Sequence, residues 1–178
     1  MTKDYRKLKL DELNRLSKEE YQEKDKSPIV VVLDNIRSMN NVGSVFRTSD
    51  CFRIEKIMLC GITATPPHRE IRKTAIGAEE TVEWEYFKNT IDAISNLQKE
   101  GYKIAAIEQT ENSIGLSQFN PEEKTAIVFG NEVDGVAEEV IAMCDTVIEI
   151  PQFGTKHSFN IAVSAGIVIW EMNKNKII

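Results

Sequence analysis

IVVVLDNIRSMNNVGSVFR, Ile29 to Arg47, decides the fold class. The opening run IVVVL (29–33) is β-branched and apolar without alternation, the pattern of a strand buried on both faces. A polar loop, Asp34 to Gly43, follows it. Val42, Val45, Phe46, Ser49 and Phe52 then recur at helical intervals, which predicts a helix over 42–52. A buried strand, a polar loop and an amphipathic helix make the repeating unit of an α/β domain.

The same unit recurs along the chain. IEKIMLC (54–60) reads as a second strand, followed by a loop with Pro66-Pro67 and a short segment around 70–77. TVEWEYF (81–87) is strand-like, and 90–100 reads as a helix stopped at Gly101. KIAAI (103–107) and TAIVFG (125–130) are further buried strands. A short acidic-faced helix over 136–143, a last strand TVIEI (146–150) and a last helix over 158–173 complete the pattern. The expectation is a mostly parallel sheet flanked by helices. Upstream, residues 1–28 carry closely balanced charge, with Leu10, Leu13 and Leu16 at helical spacing. They read as one amphipathic, mostly exposed arm helix ended by Ser27-Pro28. The domain proper is expected over 29–178.

Composition narrows the class. The chain has 178 residues, 42% hydrophobic and 28% charged, which suits one domain with a sizeable core. A net charge of −6 excludes a strongly basic nucleic-acid-coating protein but leaves room for a local basic patch. No apolar run approaches the ~18 residues of a membrane span, and the N-terminus has no apolar stretch of a secretory signal. Cys51, Cys60 and Cys144 are too few and too scattered for a disulfide framework or a zinc site. The expectation is a cytoplasmic protein without a metal.

In parallel sheets ligands bind at the loops leaving the carboxyl ends of the strands. Three such loops have unusual composition. The first, DNIRSMNNVG, lacks the GxGxxG of a dinucleotide site and so disfavours a nucleotide-dependent oxidoreductase. Asn41 is placed to cap the helix that follows, Gly43 permits a close approach, and Arg47 offers a permanent cation with a rigid donor fork. Read alone, Arg47 is more readily a surface salt-bridging residue. The second loop, GNEVDG (130–135), brackets an amide and two carboxylates with glycines; Glu132 could pair with Arg47, while Asp134-Gly135 is an ordinary turn. The third, IPQFGTKHSFN (150–160), bends at Pro151 and Gly154 and runs into an apolar helix rich in small residues. Ser158 and Asn160 are good helix caps there, and equally able to meet a ligand. His157-Ser158 does not indicate a Ser–His hydrolase, since sequence neighbours rarely have triad geometry and no G-x-S-x-G elbow is present.

Taken in order, N-x-G-x-x-x-R (Asn41 to Arg47), G-N-E-x-x-G (Gly130 to Gly135) and I-P-x-x-G-x-x-x-S-x-N (Ile150 to Asn160) resemble the three motifs of the SpoU, or TrmH, family of RNA 2′-O-ribose methyltransferases, within the SPOUT superfamily. The resemblance covers roughly 29–173. It departs at Gln152 and Phe159, where the family often has Met and Leu. It implies a deep trefoil knot made by the segment from about Thr125 to Ile161, S-adenosylmethionine as methyl donor, and a homodimer through the last helix and the first-motif helix.

The resemblance also implies site roles. Arg47 acts on the 2′-hydroxyl, with Asn41, Glu132, Ser158 and Asn160 completing the catalytic set. Glu108, Gln109, Gly130, Asn131, Gly135, Ile150, Pro151, Ser158 and Phe159 surround the donor. An arginine is an awkward base because its guanidinium stays protonated, so binding the adjacent phosphate and aligning the hydroxyl is the safer role. His157 is the one conventional base by residue type in these loops. For RNA, the most basic stretch is HREIRKT (68–74); Arg69, Arg72 and Lys73, with Arg37 and Lys156, could line a phosphate track, although a run of this kind is as readily a solvated surface. The RNA is expected to be tRNA, because about 28 residues ahead of the first strand are too few for an extra RNA-reading domain. A 23S rRNA 2′-O-methyltransferase, or a non-catalytic RNA-binding member of the same fold, stays open.

Overall fold

The computed structural model describes residues 5–121 and 124–174. Seven strands form one sheet in the order β3-β2-β1-β6-β4-β7-β5, every neighbouring pair parallel. They are β1 (Ser27–Asp34), β2 (Ile54–Cys60), β3 (Glu83–Phe87), β4 (Lys103–Ile107), β5 (Ile114–Gly115), β6 (Thr125–Phe129) and β7 (Thr146–Glu149). The helices are α1 (Lys18–Glu23), α2 (Met39–Cys51), α3 (Arg69–Ala75), α4 (Thr90–Lys99), α5 (Glu138–Ile141) and α6 (Ile161–Asn173). The expected α/β sheet is therefore present, with the additional two-residue edge strand β5. That strand is too short for its alternation to register in sequence.

Strand alternation sorts the core into two layers. Val31, Leu33, Ile57, Leu59, Ile127 and Phe129 face α2, α3 and α6, whereas Val30, Val32, Met58, Ala126 and Val128 face α4 and α5. The central strands β1 and β6 are buried on both sides, which is why IVVVL and TAIVF carry no polar interruption.

The N-terminal expectation is corrected. No single helix spans the arm. A 3-10 turn over Leu10–Leu13 ends at Asn14, whose φ of 48° is left-handed, and α1 begins afresh behind Ser17. Ser17 and Glu20 cap each other's main chain, a reciprocal box that starts a helix wherever it occurs. Leu10 and Leu16 are exposed, and the residue α1 buries is Tyr21. Ser27-Pro28 opens β1 instead of closing a helix; proline is tolerated at a strand's start.

Two helix starts also differ. The cap of α2 is Ser38, whose Oγ accepts from Asn41 N at 3.3 Å, so Asn41 lies inside the first turn and its side chain is free for other work. The cap of α6 is Asn160, whose Oδ1 accepts from Ala162 N at 2.9 Å; Ser158 stands ahead of the helix. No helix among the described residues is long and apolar enough to cross a membrane.

Candidate active site

The strand order reverses between β1 and β6, and the loops after β1, β4, β6 and β7 converge at that switch point. The loops after β4, β6 and β7 enclose a cleft of about 610 Å³; the β1 loop, with Asn41, adjoins it through Glu132 and Asn160 without forming part of the wall. The walls are Ile107–Thr110 after β4, Phe129–Val136 after β6, and Glu149, Ile150, Gln152 and His157–Ile161 around the third loop. The sequence-predicted residues Glu108, Gln109, Gly130, Asn131, Glu132, Gly135, Ile150, Ser158, Phe159 and Asn160 all line it. Pro151 is exposed beside it.

Hydrogen bonds lock the loops together. Glu132 accepts from the main-chain N–H of Arg37 (2.9 Å) and Ser38 (3.1 Å) and from Asn41 Nδ2 (3.1 Å). Asn41 Oδ1 in turn accepts from Asn160 Nδ2 at 3.2 Å. One polar chain, Glu132–Asn41–Asn160, thus joins all three motif loops. Asn131 holds the second loop closed: its Oδ1 accepts from Val133 N (2.8 Å) and Asp134 N (3.2 Å), and its Nδ2 donates to Asn35 O at 2.7 Å. Gly130 is required by space, since a Cβ there would lie 2.2 Å from Gly135 C and Val136 N.

Glu108 and Gln109 are spent on the protein itself. Glu108 accepts from Gln109 N (2.8 Å) and Val136 N (3.0 Å), and Gln109 Nε2 donates to His157 O at 2.7 Å. Both residues pin the β4 loop to the other two, a bracing role that sequence does not reveal. Asp34 was not singled out in the sequence either. Its buried carboxylate accepts from Asn35 Nδ2 at 2.8 Å and from Thr90 Oγ1, tying the end of β1 to α4. Its apolar neighbours on the strand gave no sign of a partner 56 residues away.

The expected Glu132–Arg47 pair is absent. Arg47 lies six residues past Asn41, about 120° round the helix and about 9 Å along it, so the two cannot face the same partner. Arg47 is exposed, makes no hydrogen bond or ion pair with the described residues, and is not on the cleft wall. Of the basic residues, Arg37, Arg69 and Lys156 are exposed, and their charged side-chain groups are likewise unpaired among the described residues. Arg72 differs: its guanidinium reaches Glu79 (3.3 Å) and Glu80 (3.0 Å), and Lys73 stands 4.0 Å from Glu70. Neighbouring acids therefore occupy two of the expected phosphate-track cations.

His157, the conventional base by residue type, lines the cleft. It contributes its carbonyl to the loop network. Burial pushes the Cys60 thiol up to about 12 and the Cys144 thiol up to about 11, away from thiolate chemistry. Among the described residues no group of three or more His, Cys, Asp or Glu could hold a metal ion.

For Glu132, burial pushes the pKa up, but the N–H groups of Arg37, Ser38 and Glu132 itself, with the Asn41 amide, outweigh it and hold the carboxyl below its usual value. A depressed carboxyl contributes stability above its ordinary pKa of ~4.3 and loses it as pH falls through the lower folded value. Discounted for solvent exposure, the contribution is about 1 kcal/mol. Acid unfolding of Glu132→Gln should accordingly run about 1 kcal/mol below the wild type near neutrality, with the two curves meeting below pH ~4. Parallel curves down to pH ~2 would contradict the ionised-brace assignment.

The profile described as the SpoU rRNA Methylase family matches residues 28–170. The chain is 30% identical over 151 residues to the 23S rRNA (guanosine-2′-O-)-methyltransferase RlmB of Neisseria meningitidis, spanning 85% of this chain and 60% of that protein. It is 28% identical to a tRNA (guanosine(18)-2′-O)-methyltransferase of Borreliella burgdorferi, over 81% of this chain and 65% of the relative. The chain thus spans less than two thirds of each of these relatives. An AdoMet-bound rRNA methyltransferase from Sinorhizobium meliloti shares the fold, with a TM-score of 0.80 at 24% identity over 86% of this chain and 59% of that one. With the profile running through all three motif loops, the chain belongs to the SpoU rRNA methylase family.

Proposed function

We propose that the chain transfers a methyl group from S-adenosylmethionine to a ribose 2′-hydroxyl of RNA. The observation that carries this reading is the Glu132–Asn41–Asn160 chain, which ties the first family motif to the two that line the cleft. The cleft suits the donor: about 610 Å³ lies within the usual range for small-molecule sites, and apolar Ile107, Phe129 and Ile150 adjoin polar Gln109 and Ser158. S-adenosylmethionine supplies an electrophilic methyl group when bound there. Gly130, Asn131 and Gly135 hold the main chain of one wall, and Glu108 and Gln109 keep the facing loops in register with it.

Arg47 serves the RNA side. It is off the cleft wall and unpaired, so its fork is available to a phosphodiester and to the hydroxyl beside it. Aligning a hydroxyl with a fixed methyl group is the contribution such a residue makes; a permanently charged, planar donor fork suits it to holding a phosphate rather than removing a proton. Ser158, exposed at the mouth ahead of α6, is read as a hydrogen-bonding partner for the ribose or donor, with Asn160 oriented by Asn41.

The substrate class is a nucleoside ribose in structured RNA. The named relatives act on guanosines of 23S rRNA and of tRNA. Residues 29–178 are read as one knotted catalytic domain behind a short arm, residues 1–28. The mutual closeness of the 130–136 and 157–160 segments, each bonded to the β4 loop, supports a knot there. A homodimer through α6 is supported by its exposed stripe of Val163 and Trp170, with open space at Gly166 between them. The test is labelled-methyl transfer into total RNA, followed by mapping of 2′-O-methyl sites. Label at one ribose position is expected. Label at a base, or none, would overturn the reading.

A further inference from the structure

A second cleft, of about 470 Å³, lies at the β3 edge of the sheet, between the loop after β2, α3 and β3. Pro66 and Pro67 form one wall and Trp84 another, with His68, Arg69, Arg72 and the acids Glu79 and Glu80 around them. None of these residues takes part in the site described above.

Three observations point to a ligand. Arg69 is exposed and unpaired among the described residues, so the cleft holds an available cation. Trp84 is only partly covered and presents indole surface next to two proline rings, a wall of the kind on which planar rings stack. Glu79 is the third. It is more than nine-tenths buried; Oε1 receives Arg72 Nε at 3.3 Å, but Oε2 has no hydrogen-bond partner. A buried acceptor without a donor is a cost that a bound N–H removes. Glu80, by contrast, is already engaged by Lys18 and Arg72.

A planar ring carrying an N–H, joined to a phosphate, satisfies all three groups at once. We propose that this cleft takes an unpaired nucleotide of the RNA chain. The base stacks on Trp84, an edge N–H turns to Glu79, and the phosphate lies on Arg69. Every nucleobase has a π-face and an N–H donor, so the pocket is sequence-tolerant. Its placement fits the same RNA. The loop 61–68 leaves the carboxyl end of β2, the sheet edge on which the catalytic cleft opens. β3 stands three strands from β6, about 14 Å across the sheet at the usual strand spacing. The pocket extends from that loop down α3 to Glu79 and Trp84 near the start of β3, so several nucleotides of chain would separate it from the reacting ribose. The inference rests on the RNA methyltransferase reading and adds a holding point away from the reacting ribose.

Trp84 and Trp170 are the two tryptophans, so Trp170→Phe in the full chain leaves Trp84 as the sole indole reporter. Hexauridylate, which is unpaired and barely self-stacks, should quench its fluorescence saturably. Arg69→Ala in that background should weaken binding about fivefold and lower the salt slope by about 0.7 to 1. Uridine monophosphate should bind at least about tenfold more weakly, because one nucleotide lacks the flanking phosphates. Unchanged fluorescence, indifference to Arg69→Ala, or equal binding of the monophosphate (a free-nucleotide site) would each overturn the proposal. Methyl transfer by the wild-type chain is measured alongside. Transfer without quenching removes only this pocket; quenching without transfer keeps an RNA site here and removes the enzymatic reading.

Discussion

Arg47→Ala is expected to lower methyl transfer to RNA by about 10²- to 10³-fold while leaving S-adenosylmethionine binding within about twofold. The separation follows from where the residue stands. Arg47 is absent from the cleft wall, so nothing the donor touches is removed. It is exposed and unpaired among the described residues, so the fold loses little, within about 0.5 kcal/mol. What disappears is the fork that holds a phosphodiester beside the reacting hydroxyl. Arg47→Lys keeps the charge without the paired, planar donors, and should recover only part of the loss. Single-turnover transfer with labelled donor, paired with calorimetric titration of the donor, reads the two effects separately. Turnover of Arg47→Ala within about threefold of wild type would leave the residue as a surface cation.

The sequence and the structure agree most closely where a residue's environment is uniform along the chain. IVVVL and TAIVF had to be strands buried on both faces, and they are neighbours at the centre of the sheet. The three polar loops after those strands and after TVIE were legible as the site because short connections rarely concentrate amides, carboxylates and glycines. Less legible was which side chain meets which. Asn41 read as a cap because capping is a local signal; Ser38 takes that place one turn earlier, and Asn41 is released to bridge Glu132 and Asn160. Those partners lie 91 and 119 residues away, distances across which no periodicity carries information. The Glu132–Arg47 pairing failed for the opposite reason. It matched charges without counting helix turns, and six residues rotate Arg47 to another face. In the arm, Leu10, Leu13 and Leu16 imitate a helical stripe, but the Ser17–Glu20 box restarts the chain and the burial passes to Tyr21.

The glycines of the site give the sharpest structural forecast, and sequence alone would have ranked them differently. Gly154, beside Pro151, looks like the bend that cannot change, yet a Cβ there meets nothing within 4 Å. Gly130 looks like the ordinary end of a strand, yet its Cβ would stand 2.2 Å from the main chain at Gly135 C and Val136 N and 2.4 Å from Gly135 O. No side chain can rotate out of that contact, because the obstacle is backbone. Gly130→Ala must therefore push the 131–136 segment away from β6. That movement strains the paired Asn131–Gly135 hydrogen bonds (2.9 and 3.0 Å) and the Glu108 contact to Val136 N (3.0 Å). Overpacking of this kind costs about 3 kcal/mol, which for a chain of this size lowers Tm by about 6–12 °C. Donor affinity should fall at least about tenfold, since the displaced segment is one wall of the cleft; a loss of about 1.4 kcal/mol of binding is enough for that. Gly154→Ala, measured in parallel by thermal unfolding and donor titration, should stay within about 0.5 kcal/mol of wild type. If Gly130→Ala matched it in both measurements, close approach of the second loop to β6 would not be what shapes the cleft.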